Sequence, residues 1–129
     1  MKILAEISVG ELFDKITILN IKYKKIVDNE KLKNIETELN ILNDQAEKII
    51  VENKSKLVEL INKLQAINEE LWDIENSKRE CERNKNFEEN FIRLSRDVHF
   101  KNDIRAKIKK EINLISNSLI VEEKEYSKY

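Results

Sequence analysis

The chain has 129 residues, enough for one domain (residues 1–129) with a real core and too few for two. Charged residues make up 38%, yet 24 Lys and Arg against 25 Asp and Glu leave a formal charge of −1, which argues against a nucleic-acid surface. With no Pro and a single Gly the usual punctuation of sheets and long loops is missing, and no stretch approaches the roughly 18 apolar residues of a membrane span.

No apolar core with a cleavage site follows Met1, so no signal peptide is expected and Met1–Glu6 reads as a short extended lead-in. Ser8 and Glu11 stand at capping-box spacing, with Ile7 and Leu12 placed as a hydrophobic staple around them. A first helix begins there and turns Leu12, Ile16, Leu19, Tyr23 and Ile26 toward the interior. Asp28 caps a second helix, whose seam Leu32, Ile35, Leu39, Leu42, Ala46 and Ile49 runs to about Val51. The polar run Glu52–Ser55 makes a turn. A third helix from about Lys56 to Arg83, on the order of 40 Å long, carries Leu57, Leu60, Leu64, Ile67, Leu71 and Ile74 on one face. Two such stripes across a short turn predict an antiparallel, coiled-coil-like hairpin of the second and third helices. Cys81 continues the stripe as a packed residue; alone it makes no internal disulfide, which fits a reducing cytoplasm.

Asn84-Lys85-Asn86 breaks the pattern, and Asn86 with Glu89 has capping-box spacing for a fourth helix through Phe87, Phe91, Leu94 and Val98. The stripe turns polar at Lys101 and Arg105 and resumes at Ile108, Ile112 and Ile115. One continuous helix and a break capped by Asn102 both fit; continuity is preferred. Asn117 suits a left-handed helix end, and residues 119–129 form a charged tail. The expected architecture is therefore all-α, an antiparallel bundle of about four long helices. Seams this long leave apolar surface for a protein partner or a homodimer.

Chemistry is sparser. Beside its apolar seam the third helix bears Asn68, Trp72, Glu75 and Arg79 at spacings of four, three and four, hence on one face. Residues 69–75 are acidic and residues 93–110 basic, so the third and fourth helices are expected side by side, in register by charge. The sharper alternative is an interhelical pocket. There Arg79, Arg105 and Lys109 bind an anion, Asn68, Asn102 and Asn113 orient it, and Glu75 serves as acid or base. Trp72 reads as a filler where helices cross, with stacking on a sugar or base the minority role. The run Glu69–Asp73 loosely resembles the first acidic motif of the all-α nucleotide pyrophosphohydrolases. The second acidic pair of that family is missing, because the following helix is basic. His99 has no Cys or His near it at metal-ligand spacing, and one Gly cannot make a phosphate-cradling loop. No metal and no cofactor are expected, and no residue is assigned a catalytic role by motif.

Four stretches together, GELFDKITILNIK (10–22), LWDIE (71–75), NDIRAKIKKEIN (102–113) and LIVEEKEYSKY (119–129), resemble a family of small helical proteins and domains of bacteria and viruses. Members of that family are sometimes found with glycosyltransferases or in surface-polysaccharide gene neighbourhoods. The resemblance covers most of the chain and implies a helical fold and a genomic context, not a reaction. Asp14, Lys15 and Lys22, then Trp72 and Glu75, then Asn102, Arg105, Lys109 and Asn113 match its motif positions, while Asn117 stands where the pattern tends to have Gly. The function expected from all this is a non-catalytic interaction or accessory module, with a glycan-synthesis setting supplied by the resemblance alone. The alternative is a protein or enzyme that binds a small anion or nucleotide sugar.

Overall fold

The computed structural model describes all 129 residues. Four helices follow in order: α1 (Val9–Lys25), α2 (Asn29–Ala46), α3 (Lys54–Arg83) and α4 (Glu89–Ile115). No strand is present and the helices pack on one another, so the all-α bundle expected from the apolar spacing is the fold.

The ends of the helices follow local chemistry, with instructive departures. Ser8 caps α1 by accepting the Glu11 N–H at 3.0 Å. The return arm of the capping box is absent, because the Glu11 carboxylate is drawn instead to Lys109 and Lys15. Asp28 caps α2 through the Lys31 N–H at 3.0 Å. That helix stops at Ala46 rather than near Val51, and Val51 then enters the core from the connecting loop. Asn53 accepts the Lys56 N–H at 3.0 Å and opens α3 two residues earlier than the seam suggests. The capping box proposed for Asn86 and Glu89 does not form: Asn86 Oδ1 accepts the Glu88 N–H, and α4 starts at Glu89 with no side-chain cap. From there α4 is continuous for 27 residues. Asn102 sits within it, its amide donating to the Val98 carbonyl at 3.0 Å rather than opening a new helix.

Asn117 takes the left-handed conformation at φ 52°, and the Ser118 N–H reaches back to the Asn113 carbonyl at 2.9 Å, a Schellman ending. The same device closes α3. Lys85 sits at φ 54° while the Asn86 N–H bonds to the Cys81 carbonyl at 2.9 Å. Nothing in a lysine announces that conformation, which ordinarily favours Gly or Asn.

The packing corrects one expectation. The closely paired hairpin is α3 with α4, whereas α2 makes its close backbone contact with α1 and none with α3. α1 is in the middle, touching α2, α3 and α4. This explains why its burial exceeds a single stripe: Phe13, Asp14, Thr17 and Ile21 are buried along with Leu12, Ile16 and Leu19, while Tyr23, expected inside, is half exposed.

The main core joins Leu12, Phe13 and Ile16 of α1 to Leu57, Leu60, Leu64 and Ile67 of α3 and Ile108 and Ile112 of α4, with Val51 plugging one end. At roughly 1.5–3 kcal/mol for each large aliphatic or aromatic side chain taken out of water, this cluster is the principal source of stability. A smaller cluster of Ile74, Cys81 and Leu94, flanked by Phe91 and Val98, lies farther along α3 and α4. No helix is long and apolar enough to cross a membrane.

Candidate functional site

The apolar face of α1 is interrupted at Asp14, which lies between Phe13 and Ile16 and is only 1% exposed. A buried carboxylate must be paired or protonated. Here it is paired on both oxygens. Arg105 of α4 grips it side-on, Nε donating to Oδ1 at 2.9 Å and Nη2 to Oδ2 at 2.5 Å. From α3 the Asn68 amide donates to Oδ1 at 2.9 Å and also to the Thr17 hydroxyl at 2.9 Å. Thr17 in turn donates its proton to the Asp14 carbonyl at 2.8 Å. The bidentate fork fixes orientation as well as charge, which a lysine at position 105 could not do.

One helical turn toward the start of α1, Glu11 accepts from Lys109 Nζ at 2.7 Å, and the same ammonium lies 3.7 Å from Asp14 and 3.0 Å from Glu122 of the tail. Its side chain is 10% exposed, so the charge is largely withdrawn from water. At the adjacent residue of α1, and one turn further along α4, the Gly10 N–H donates to Asn113 Oδ1 at 2.6 Å. The pairs Gly10–Asn113, Glu11–Lys109 and Asp14–Arg105 read α1 antiparallel to α4, at successive turns of α4. The two backbones come so close at the first pair that a Cβ on residue 10 would stand 2.5 Å from the Lys109 carbonyl oxygen. The single Gly of the sequence is there for space, not for an unusual dihedral.

Electrostatics follow the geometry. Burial pushes the Asp14 pKa upward, but hydrogen bonds from Arg105 and Asn68 and the charges of Arg105 and Lys109 outweigh it and hold the group below its ordinary value. The bond to Asp14, against the opposing effect of burial, raises Arg105. For Lys109 burial favours the neutral amine, and the bonds to Glu11 and Glu122 more than reverse this, so it too is raised. All three groups are thus held in their charged forms. Every buried side-chain nitrogen and oxygen has a partner. A network satisfied this fully contributes mainly by discrimination: any other alignment of α1 against α4 would strand a buried carboxylate.

Of the eight residues singled out by sequence, Asn68, Arg105, Lys109 and Asn113 meet in this cluster. Asn102 stands at its edge, Oδ1 accepting from Arg105 Nη1 at 3.3 Å. Trp72 is half-buried one turn along α3 and contributes no hydrogen bond to the cluster. Glu75 and Arg79 are not brought to it. They pair with each other at 3.1 Å on the surface, with side chains 59% and 72% exposed. The charge match between α3 and α4 is realised directly by Lys101 with Glu70 at 2.8 Å; Arg105, Lys109 and Lys110 turn to α1 and the tail, while Arg93 bonds Asn90 within α4. No three His, Cys, Asp or Glu side chains are grouped so as to hold a metal ion.

Sequence reasoning from the residues themselves missed Asp14, Glu11 and Thr17. The available signal was a carboxylate set among Leu12, Phe13 and Ile16, four residues after the only Gly.

The fold and the cluster together define a four-helix protein whose first helix is locked to the fourth by buried ion pairs and to the third by the Asn68 amide. The chain belongs to the family of unknown function DUF6165, whose model matches residues 1–129. No curated protein and no solved structure matches it.

Proposed function

We propose that this chain is a non-catalytic interaction module that docks a protein partner at the end of the bundle where its two termini emerge. The observation that carries this is the exposed apolar side chains of the two segments that meet there. The Val9 N–H donates to the Ser118 hydroxyl at 3.1 Å, which ties the start of α1 to the start of the tail. On the segment before that tie Met1, Ile3 and Leu4 face solvent, and on the segment after it so do Leu119, Ile120 and Val121, with Ile3 at 84% and Leu119 at 93%. No backbone–backbone hydrogen bond uses residues 1–7 or 119–121; apart from the Ile120 carbonyl, which accepts from the Ser118 hydroxyl at 2.6 Å, their peptide groups can pair with a partner as well. Exposed apolar side chains in such numbers are characteristic of a contact site. The resemblance noted above is the ground for seeking the partner among proteins of glycan or polysaccharide assembly, and the unpaired Cys81 fits a reducing cytoplasm.

The alternative, a small-anion or nucleotide-sugar site worked by Glu75, Arg79, Arg105 and Lys109, is served less well. Arg105 and Lys109 already spend their charge on Asp14, Glu11 and Glu122, and the other two pair elsewhere on the surface. The test has two arms. In the first, immobilised chain is compared with an Ile3→Asp, Leu4→Asp, Leu119→Asp variant for retention of purified glycosyltransferases; saturable retention lost in the variant at unchanged Tm is the expected result. In the second, a thermal-shift screen of nucleotides, nucleotide sugars and sugar phosphates should leave Tm unmoved. A concentration-dependent rise would overturn the proposal in favour of the ligand site, since a molecule preferring the folded state stabilises it by mass action.

A further inference from the structure

After Asn117 the chain does not trail into solvent. It folds back along α4, beside the buried cluster, and borders an open groove of about 1060 Å³. The floor of the groove is one helical face, Asn102, Ala106, Lys109 and Asn113, at spacings of four, three and four. The tail is held over it by side chains alone. Glu122 meets Lys109 at 3.0 Å, Glu123 meets Lys110 at 3.4 Å, and Lys124 meets Asp103 at 3.2 Å. The terminal Tyr129 hydroxyl donates to Asp103 at 2.6 Å, and its ring lies edge-on to Phe100 and His99 with centroids 4.9 and 5.2 Å away. No backbone–backbone hydrogen bond joins residues 119–129 to the helices. A segment attached this way is the part of the molecule most easily released.

What lies beneath it has a definite chemistry. This stretch of α4 presents Lys107 and Lys110 against Asp103, with Lys109 shared between Glu11 and Glu122, an excess of positive charge that the tail's paired carboxylates offset. At the far end of the groove, His99 and Phe100 form an aromatic seat. The tail itself demonstrates the complementary ligand: two adjacent carboxylates, then an aromatic ring six residues on.

We infer that the α4 face under the tail is a docking groove for an acidic, tyrosine-bearing peptide segment of a partner protein, and that residues 119–129 are its built-in competitor. This deepens the interaction-module proposal by naming the chemistry of a partner, on a face separate from the apolar end. A tethered competitor acts at an effective concentration of about millimolar, so a partner segment gains the groove only when it binds more strongly or the tail is weakened.

The experiment uses the full chain and a labelled nine-residue peptide, VEEKEYSKY, identical to residues 121–129. A full-length variant with Glu122→Gln, Glu123→Gln and Tyr129→Leu loosens the strap without touching the buried cluster's helices. It should bind the peptide at least tenfold more tightly than the unaltered chain, with affinity falling as salt rises. Adding Lys110→Glu, a half-exposed position, should abolish that gain while the melting temperature stays put, which separates lost binding from lost folding. Equal peptide binding by the unaltered and loosened chains, or binding indifferent to Lys110→Glu, overturns the inference. Either result leaves the Ile3, Leu4 and Leu119 comparison intact, so the two proposals fail separately.

Discussion

Where α1 lies against α3 and α4, ten buried apolar side chains form one cluster and a set of paired charges is packed beside it. Toward the Asn84 turn, α3 and α4 have only each other, and three buried side chains, Ile74, Cys81 and Leu94, do the work of a core. The two regions share helices and composition; what differs is the number of neighbours. A helix with three neighbours can bury an ionised carboxylate, because partners arrive from several directions: Arg105 from α4 and Asn68 from α3 both reach Asp14. A two-helix arm offers partners from one side only. Its ion pairs, such as Glu75 with Arg79, accordingly remain on the surface and count for little.

The largest expected effect comes from stripping the cluster of its anion. Asp14→Ala leaves Arg105 without its carboxylate and should cost about 3 kcal/mol in chemical denaturation, in the range measured for a broken buried pair. The pH dependence has a definite sign. Asp14 is depressed in the folded state, so its contribution is present above the unfolded carboxyl pKa of 3.8 and is lost as pH falls through the lower folded value. Asp14→Asn should therefore flatten the acid limb of the stability profile below about pH 4. Lys109 acts at the opposite end, since its pKa is raised. Its contribution is complete below the ordinary lysine value of 10.5 and disappears as pH climbs through the higher folded one.

Next in size is Gly10→Ala. The obstacle to its Cβ is the Lys109 backbone carbonyl, which cannot swing aside like a side-chain tip, so α1 and α4 must separate. A loss of about 2 kcal/mol is expected, typical of overpacking, read as a lowered urea midpoint. In the two-helix arm the changes should be smaller. Lys85→Gly relieves a left-handed lysine and should raise stability by about 0.5–1 kcal/mol. Glu75→Gln, which removes one member of an exposed pair, should move stability by less than about 0.5 kcal/mol. A Glu75 effect as large as that of Asp14 would erase the distinction between the two regions.

Much of the fold was legible because it rests on periodicity. Heptad-spaced Leu and Ile identified the helices, and Ser8, Asp28 and Asn117 marked three of their ends. Partnership was not legible. An apolar stripe says that a face is buried, not against what, so α2 with α3 looked as good as α3 with α4. The site was half visible for a related reason. Charged residues at helical spacing on one chain segment, such as Glu75 and Arg79, are easily found, yet they merely satisfy each other. The cluster that forms joins residues 91 and 98 positions apart, Asp14 with Arg105 and Glu11 with Lys109, and no local spacing encodes that. Lys85 hid its left-handed turn because its side chain carries no preference for it.

Native-state hydrogen exchange puts the contrast between the two regions to the most direct trial. Amides of Ile16–Leu19, Leu60–Asn68 and Ile108–Ile112 should exchange only through global unfolding. Those of Ile74–Glu82 and Phe91–Val98 should exchange through a smaller opening, at least about 2 kcal/mol below the global value. Equal protection along the whole of α3 and α4, or slower exchange toward the Asn84 turn than beside Asp14, would contradict the account.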